Sequence, residues 1–155
     1  MLQISRKVEY ALLAAVYLAG RNPEEMVSFR EIGEAQDVPK EFLAKILRSL
    51  VTTGLIESRR GAAGGYRLAR PANTITFLEV VEAVDGPIAL NVCCEAGVGC
   101  AHQGACSMES VWHRAELAMK EVFREVLLSD LACEDVLINH LVQRAKDLEH
   151  EEAHA

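Results

Sequence analysis

No stretch of this 155-residue chain is apolar for long enough to cross a membrane. It has no glycine-rich phosphate loop, no nucleophile–histidine–acid set and no pair of carboxylates placed for acid–base work. The Cys-x2-Cys pair that forms the usual knuckle of a structural zinc site is also missing, although five cysteines are present. These absences remove integral membrane proteins and leave an enzyme little to work with. A cysteine-dependent oxidoreductase would need a base or a substrate pocket beside its thiol, and the cysteine-rich stretch offers only His102 and scattered carboxylates. Five is an odd number and Cys93 and Cys94 are adjacent, so a secreted disulfide framework is poorly served. A reducing compartment with a metal or redox site fits better, and the protein is expected to be soluble, cytoplasmic and not an enzyme.

What is present reads as a globular chain, half hydrophobic and a quarter charged. The net charge of −7 is unevenly spread: residues 1–72 carry a balance of +3 and residues 73–155 one of −10. Such a chain can hold a polyanion at one end only. Near the start, Arg6 and Lys7 precede "ALLAAVYLAG", which superficially resembles a signal peptide. Glu9 interrupts that reading, and Val8, Leu12, Ala15 and Ala19 recur at helical spacing, which predicts an amphipathic first helix.

"VSFREIGEAQ" opens with a capping box, Ser28 with Glu31, and "QDVPKEFLAKILRSLVTTG" follows at once. Pro39 suits a first helical position and Gly54 the residue just past the end. Phe42, Leu43, Ile46, Leu47, Leu50 and Val51 form an apolar stripe, while Lys40, Glu41, Ala44, Lys45, Arg48 and Ser49 face away. Two helices joined tightly, the second with a partly basic outer face, make a helix-turn-helix candidate. "LIESRR" and "YRLARP" then read as two short strands around the glycine-bearing turn "GAAGG". Arg59 and Arg60 lie at the near end of this hairpin, Arg67 and Arg70 on its return strand. In this order the elements predict a winged helix, mainly α with a small β-wing, bound to double-stranded DNA. The expected contacts are Lys40, Glu41, Lys45 and Arg48 on the helix and Arg59, Arg60, Gly64 and Tyr66 on the wing.

"TITFLEVVEAVDGP" carries a second capping box, Thr76 with Glu79, and stops at Gly86-Pro87. In "SMESVWHRAELAMKEVFREVLLSD", Met108, Val111, Trp112, Ala115, Met119, Val122 and Val126 mark one face of roughly six turns. A chain of this size has too little other core to cover that stripe. A second copy would cover it, which predicts a homodimer and hence a near-palindromic operator. The expected organisation is a winged-helix domain (1–86), a cysteine-rich loop (87–107), dimerisation helices (108–148) and a tail (149–155).

Within "CCEAGVGCAHQGACSMES", Cys94, Cys100 and Cys106 are separated by five residues each time, with glycines 97, 99 and 104 letting the loop curl. Wide spacing suits an iron–sulfur cluster, which takes thiolates at separated corners. Zinc and a metal-free thiol–disulfide switch stand as alternatives. Cys133, in a helical stretch, reads as a small core residue.

From "ISRKVEYAL" through "GLIESRRGAAGGYRLAR" and "ITFLEVVEAVDG" to the cysteine loop, the chain resembles the IscR/NsrR/RirA-type bacterial transcription regulators. The resemblance implies winged-helix dimers that carry an iron–sulfur cluster before the dimerisation helix and sense cluster status, iron, nitric oxide or redox state. It implies Cys94, Cys100 and Cys106 as ligands. In the IscR branch a histidine stands three residues after the last cysteine. Here that position is Glu109, and neither His102 nor His113 matches it. The NsrR branch draws a carboxylate from the first helix of the other subunit, at the position of Glu9, so the resemblance implies Glu9 as fourth ligand. Three cysteines without that histidine favour [4Fe–4S] over [2Fe–2S]. The IscR glutamate that shapes operator choice is replaced here by Ala44, so no operator sequence is transferred.

Overall fold

Ser5 starts the first helix: its hydroxyl accepts from the Val8 amide (3.3 Å), and α1 runs Arg6–Ala19. The structure, a computed structural model, describes residues 4–61, 63–95, 97–98, 100, 102 and 105–133. Ala11 and Ala14 of α1 are fully buried, and Val8, Ala15 and Leu18 nearly so. These small side chains bring α1 close against the helices that follow it. The apolar start of the chain is therefore core, as its spacing predicts.

Helix α2 (Phe29–Ala35) is capped by Ser28, whose hydroxyl accepts from the Glu31 amide at 3.1 Å. The reciprocal half of that box does not form. The Glu31 carboxylate instead meets Arg21 and accepts from the Tyr17 hydroxyl, both at 3.1 Å, which ties α2 to α1. Asp37 makes the turn in the left-handed region (φ 48°), which a short polar side chain tolerates. Helix α3 (Lys40–Thr52) then begins, with Pro39 at the cap and not at the first helical position. Leu43, Ile46, Leu47 and Leu50 are fully buried and fix the face of α3 that meets the core. Phe42 departs from the expected stripe. It lies about 100° round the helix from Leu43, is 44% exposed, and rests edge-on against Tyr10 with ring centroids 5.8 Å apart.

Strands β1 (Ile56–Arg59) and β2 (Gly65–Leu68) form an antiparallel hairpin in which Glu57 faces Arg67 and Ser58 faces Tyr66. Val27 pairs with Tyr66 on the other edge of β2, exchanging both backbone hydrogen bonds (2.9 and 2.8 Å). Helix α4 (Phe77–Asp85) has the full capping box, with Thr76 and Glu79 each satisfying the other's amide. Arg70 closes on Glu79 as well, and these partners outweigh burial to hold that carboxyl below its ordinary range.

Helix α5 (Glu109–Glu125) is shorter than the six turns its pattern suggests, about 25 Å long. It stops because Val126 turns extended and the chain pairs back on the segment before α4. Phe77 donates to the Val126 carbonyl (2.9 Å) and Leu128 to the Ile75 carbonyl (3.0 Å). Val126 therefore leaves the helix face assigned to it. Residues 128–133 are again helical, and Leu128 is fully buried in the same core as Ile75, Ile46 and Leu50. Cys133, expected as a core residue, is exposed. Residues 134–148 of the expected dimerisation helices and the 149–155 tail lie outside the described residues. Among the described residues no helix is long and apolar enough to cross a membrane.

Candidate nucleic-acid interface and cysteine loop

The buried stripe of α3 turns Lys40, Glu41, Lys45 and Arg48 outward, and all four are exposed. Arg59 and Arg60 are exposed at the end of β1, while Gly64 and Tyr66 on the return side are half-buried. A cleft of about 540 Å³ between α3 and the hairpin is lined by Arg48, Thr52, Arg59, Arg60, Tyr66 and Ser28 among others. Among the described residues no ion pair engages Lys40, Lys45, Arg48, Arg59 or Arg60. The other two hairpin arginines behave differently. Arg67 is held by Glu57 and by Glu24 (3.0 Å), and Arg70 by Glu79 and the Thr74 carbonyl (2.7 Å). They brace the wing from behind. The uncompensated cations of this face are therefore those flanking the cleft, placed to meet phosphates.

The hairpin is held to the body by close backbone approach. A Cβ at Gly65 would lie 2.4 Å from the Val27 carbonyl oxygen, and one at Gly64 would lie 2.2 Å from that of Arg59. Both positions therefore exclude a side chain. The wing's attachment to Val27 exists because residue 65 has none.

The cysteine loop leaves α4 at Gly86 and returns at α5. Cys93 and Cys94 sit in a short 3-10 turn (Val92–Cys94), and Cys93, Cys94, Cys100 and Cys106 are all half-buried. The thiols are not gathered: among the described residues no three of His, Cys, Asp and Glu form a metal-binding group. Glu9 is exposed on the first turn of α1. Glu109 opens α5, and His102 and His113 are exposed.

One residue near the loop carried no sequence signal of its own. Glu116, inside the α5 pattern, is 8% exposed and is the one buried charged side chain among the described residues. Its carboxylate pairs with Lys120 (2.6 Å), accepts from the Leu90 amide (3.4 Å) and accepts from the Cys94 thiol. Burial would raise its pKa, but these three donors outweigh burial and hold it below the usual carboxylate range. For Cys94 the same contact works in the opposite sense. Burial first, then the Glu116 carboxylate, then the neighbouring Cys93, push its thiol up to about 11.

On the other side, α5 presents an uncovered apolar seam. Met108, Val111, Ala115, Ala118 and Val122 follow each other at alternating steps of three and four residues, and all are exposed. Val111 is 60% exposed and Val122 58%. Trp112, Met119 and Phe123 point elsewhere and are half-buried, with Phe123 stacked on Phe77 of α4 (centroids 4.8 Å). Of the predicted face, then, Met108, Val111, Ala115 and Val122 form the open seam, and Trp112 and Met119 are half-buried.

A helix-turn-helix followed by a two-stranded hairpin, with exposed cations along the cleft between them, defines a winged-helix DNA-binding protein. The family model Rrf2, described as an iron-dependent transcriptional regulator, matches residues 4–134. The chain belongs to the Rrf2 family of transcription regulators. It is 40% identical over 86 residues to the HTH-type transcriptional regulator IscR of Cereibacter sphaeroides, covering 54% of this chain and 56% of that one. It is 26% identical over 131 residues to the HTH-type transcriptional regulator NsrR of Oceanobacillus iheyensis, covering 84% and 89%. Among solved structures, CymR, the global cysteine regulator of B. subtilis, superposes with a TM-score of 0.72 at 30% identity, covering 86% of this chain and 98% of that one. IscR of T. potens follows with a TM-score of 0.70 at 27% identity, covering 86% and 88%.

Gly65→Ala is expected to force the wing off Val27. A cost on the order of 1–3 kcal/mol follows from overpacking against backbone that cannot yield. Hydrogen exchange at the Val27 and Tyr66 amides reads this directly, and unchanged protection at both would refute it.

Proposed function

We propose that this regulator is a homodimer acting in the cytoplasm on a near-palindromic operator, and that it reports the state of an iron–sulfur cluster held by its cysteine loop. The observation that carries this reading is continuity. The loop with four half-buried thiols runs from the winged domain straight into the helix that presents the open apolar seam. A second copy packed seam to seam buries that surface and presents two α3 helices and two wings to DNA. Lys40, Glu41, Lys45 and Arg48 then read the major groove, and Arg59, Arg60, Gly64 and Tyr66 hold the flanking backbone.

The donor chemistry suits a cluster: Cys94, Cys100 and Cys106 supply the thiolates, and a carboxylate completes the set. Glu9 of the partner subunit is the proposed fourth ligand, since it is exposed and sits on the first turn of a helix whose opposite face is buried in the winged domain. A hard carboxylate donor holds iron weakly and favours [4Fe–4S] with one corner open to oxygen or nitric oxide. Such a centre supplies a group that small oxidants or iron shortage can alter.

A second reading, a metal-free thiol switch, draws on the adjacent Cys93 and Cys94 and on the likeness to CymR of Staphylococcus aureus, a solved structure of which is of its oxidized form. Anaerobic reconstitution with iron and sulfide separates the two. A brown protein with a visible charge-transfer spectrum supports the cluster, and a colourless one leaves the thiol switch or a zinc site, which metal analysis tells apart.

Variants of the DNA face and of the seam give separate readouts. Arg59→Ala with Arg60→Ala should weaken binding to every sequence and flatten the salt dependence by about one unit for each phosphate no longer neutralised. Changes at Lys45 should also relax sequence preference. An unaltered salt slope in the double variant removes the wing from the interface. Val122→Glu would bury an unpaired carboxylate in the seam at a cost on the order of several kcal/mol. A variant still dimeric by sedimentation takes α5 out of the dimer interface.

A further inference from the structure

Glu116 belongs neither to the DNA face nor to the proposed cluster ligands, although it touches one of them, Cys94. Taking a carboxylate out of water is costly unless its oxygens are fully partnered. On the inward side of α5 an apolar residue would fill the space without that cost. The chain commits three donors to Glu116 instead. Lys120, one turn on in the favourable Glu-before-Lys order, comes from α5 itself. The other two, the Leu90 amide and the Cys94 thiol, come from the first limb of the cysteine loop. The loop is thus fastened to α5 at two points four residues apart, both on one buried carboxylate.

We propose that Glu116 is the positioning residue of the cysteine loop, fixing through the Leu90 amide, and through the Cys94 thiol in the metal-free protein, where the first of the three cysteines sits against α5. This rests on the cluster reading for its purpose but not for its geometry. With the limb anchored, Cys94 stays beside α5 while the glycine-bearing part of the loop carries the other thiols. Lys120 keeps the carboxylate's second oxygen occupied, so the anchor does not swing away to solvent. A displacement of the first limb therefore pulls on the same helix that bears the exposed seam.

The test uses the full chain with Glu116→Ala and Glu116→Gln. In the reduced, metal-free protein, alkylation by iodoacetamide is followed at each cysteine by mass spectrometry. Glu116→Ala should raise the Cys94 rate about five-fold or more, since the limb is no longer held against α5 and the thiol becomes more accessible, and leave the Cys106 rate unchanged. Both variants are then reconstituted anaerobically with ferrous iron and sulfide, and the visible circular dichroism is compared with the parent. A changed spectrum is expected for Glu116→Ala. An intermediate one is expected for Glu116→Gln, whose amide oxygen still accepts from Leu90. Parent-like Cys94 labelling and a parent-like spectrum in a folded variant overturn the proposal. If Glu116→Ala does not fold, Glu116→Gln decides: a parental Cys94 rate there makes Glu116 a stabilising residue only. Should the parent take up no iron while Glu116→Ala still speeds Cys94, the cluster reading fails and the anchoring contact stands.

Discussion

Two backbone hydrogen bonds set the relation between the halves of this molecule: Phe77 to the Val126 carbonyl and Leu128 to the Ile75 carbonyl. They lock the end of α5 antiparallel to the segment that leads into α4, and they carry Leu128 into the core under α3. They act together with the packing of Phe123 on Phe77 to fix the direction of α5. With them, the seam on α5 has a fixed bearing relative to α3. Toward the other end of α5, Glu116 gathers Leu90 and Cys94. The helix is thus held at two places, by backbone at one and by a buried carboxylate at the other.

The core explains why so small a domain can keep this arrangement. Alanines at 11, 14 and 15 bring α1 close to its neighbours, and four fully buried residues of α3 fill the space beneath. Cavity-forming changes in such a core typically cost about 2–5 kcal/mol, a large share of the stability of a domain of this size. Polar anchors fix the periphery. Thr76, Glu79 and Arg70 close the start of α4, and Tyr17, Arg21 and Glu31 close α1 on α2.

Much of this was legible in the chain because it is local. The 3.6-residue period of α1 and α3, the Thr76–Glu79 box and the glycines of the hairpin each report on residues within a turn or two of themselves. What the sequence could not show is what depends on distant partners. Glu31 leaves its own cap because Arg21 and Tyr17 lie nearby in space. Phe42 leaves the stripe because the core is centred on Leu43, Ile46 and Leu47, and Tyr10 meets its ring. Val126 breaks from α5 because Phe77 captures its carbonyl, a bond between segments far apart in the chain. Glu116 was hidden for the same reason: an acidic residue at a helical position reads as solvated until the loop that folds over it is known. At the cysteine loop the residue types are legible as thiol chemistry, whereas the described geometry has Cys94 turned to Glu116.

The pairing of Arg67 and Arg70 has a kinetic consequence. By committing these two cations to Glu57, Glu24 and Glu79, the fold cancels positive charge on the back of the wing and leaves it uncancelled along the cleft. The acidic surplus meanwhile falls in the second half of the sequence, where residues 73–155 carry −10. With exposed, unpaired cations at one cleft and a negative total, the charge of this molecule is unevenly spread. In the field of a polyanion such a body experiences a torque before it experiences a contact. Approach with the wrong face is repelled, and approach with α3 and the wing leading is favoured, so encounter complexes are pre-sorted by orientation. Raising the ionic strength shortens the range of that torque together with the attraction, which couples how often the protein arrives to how well it arrives.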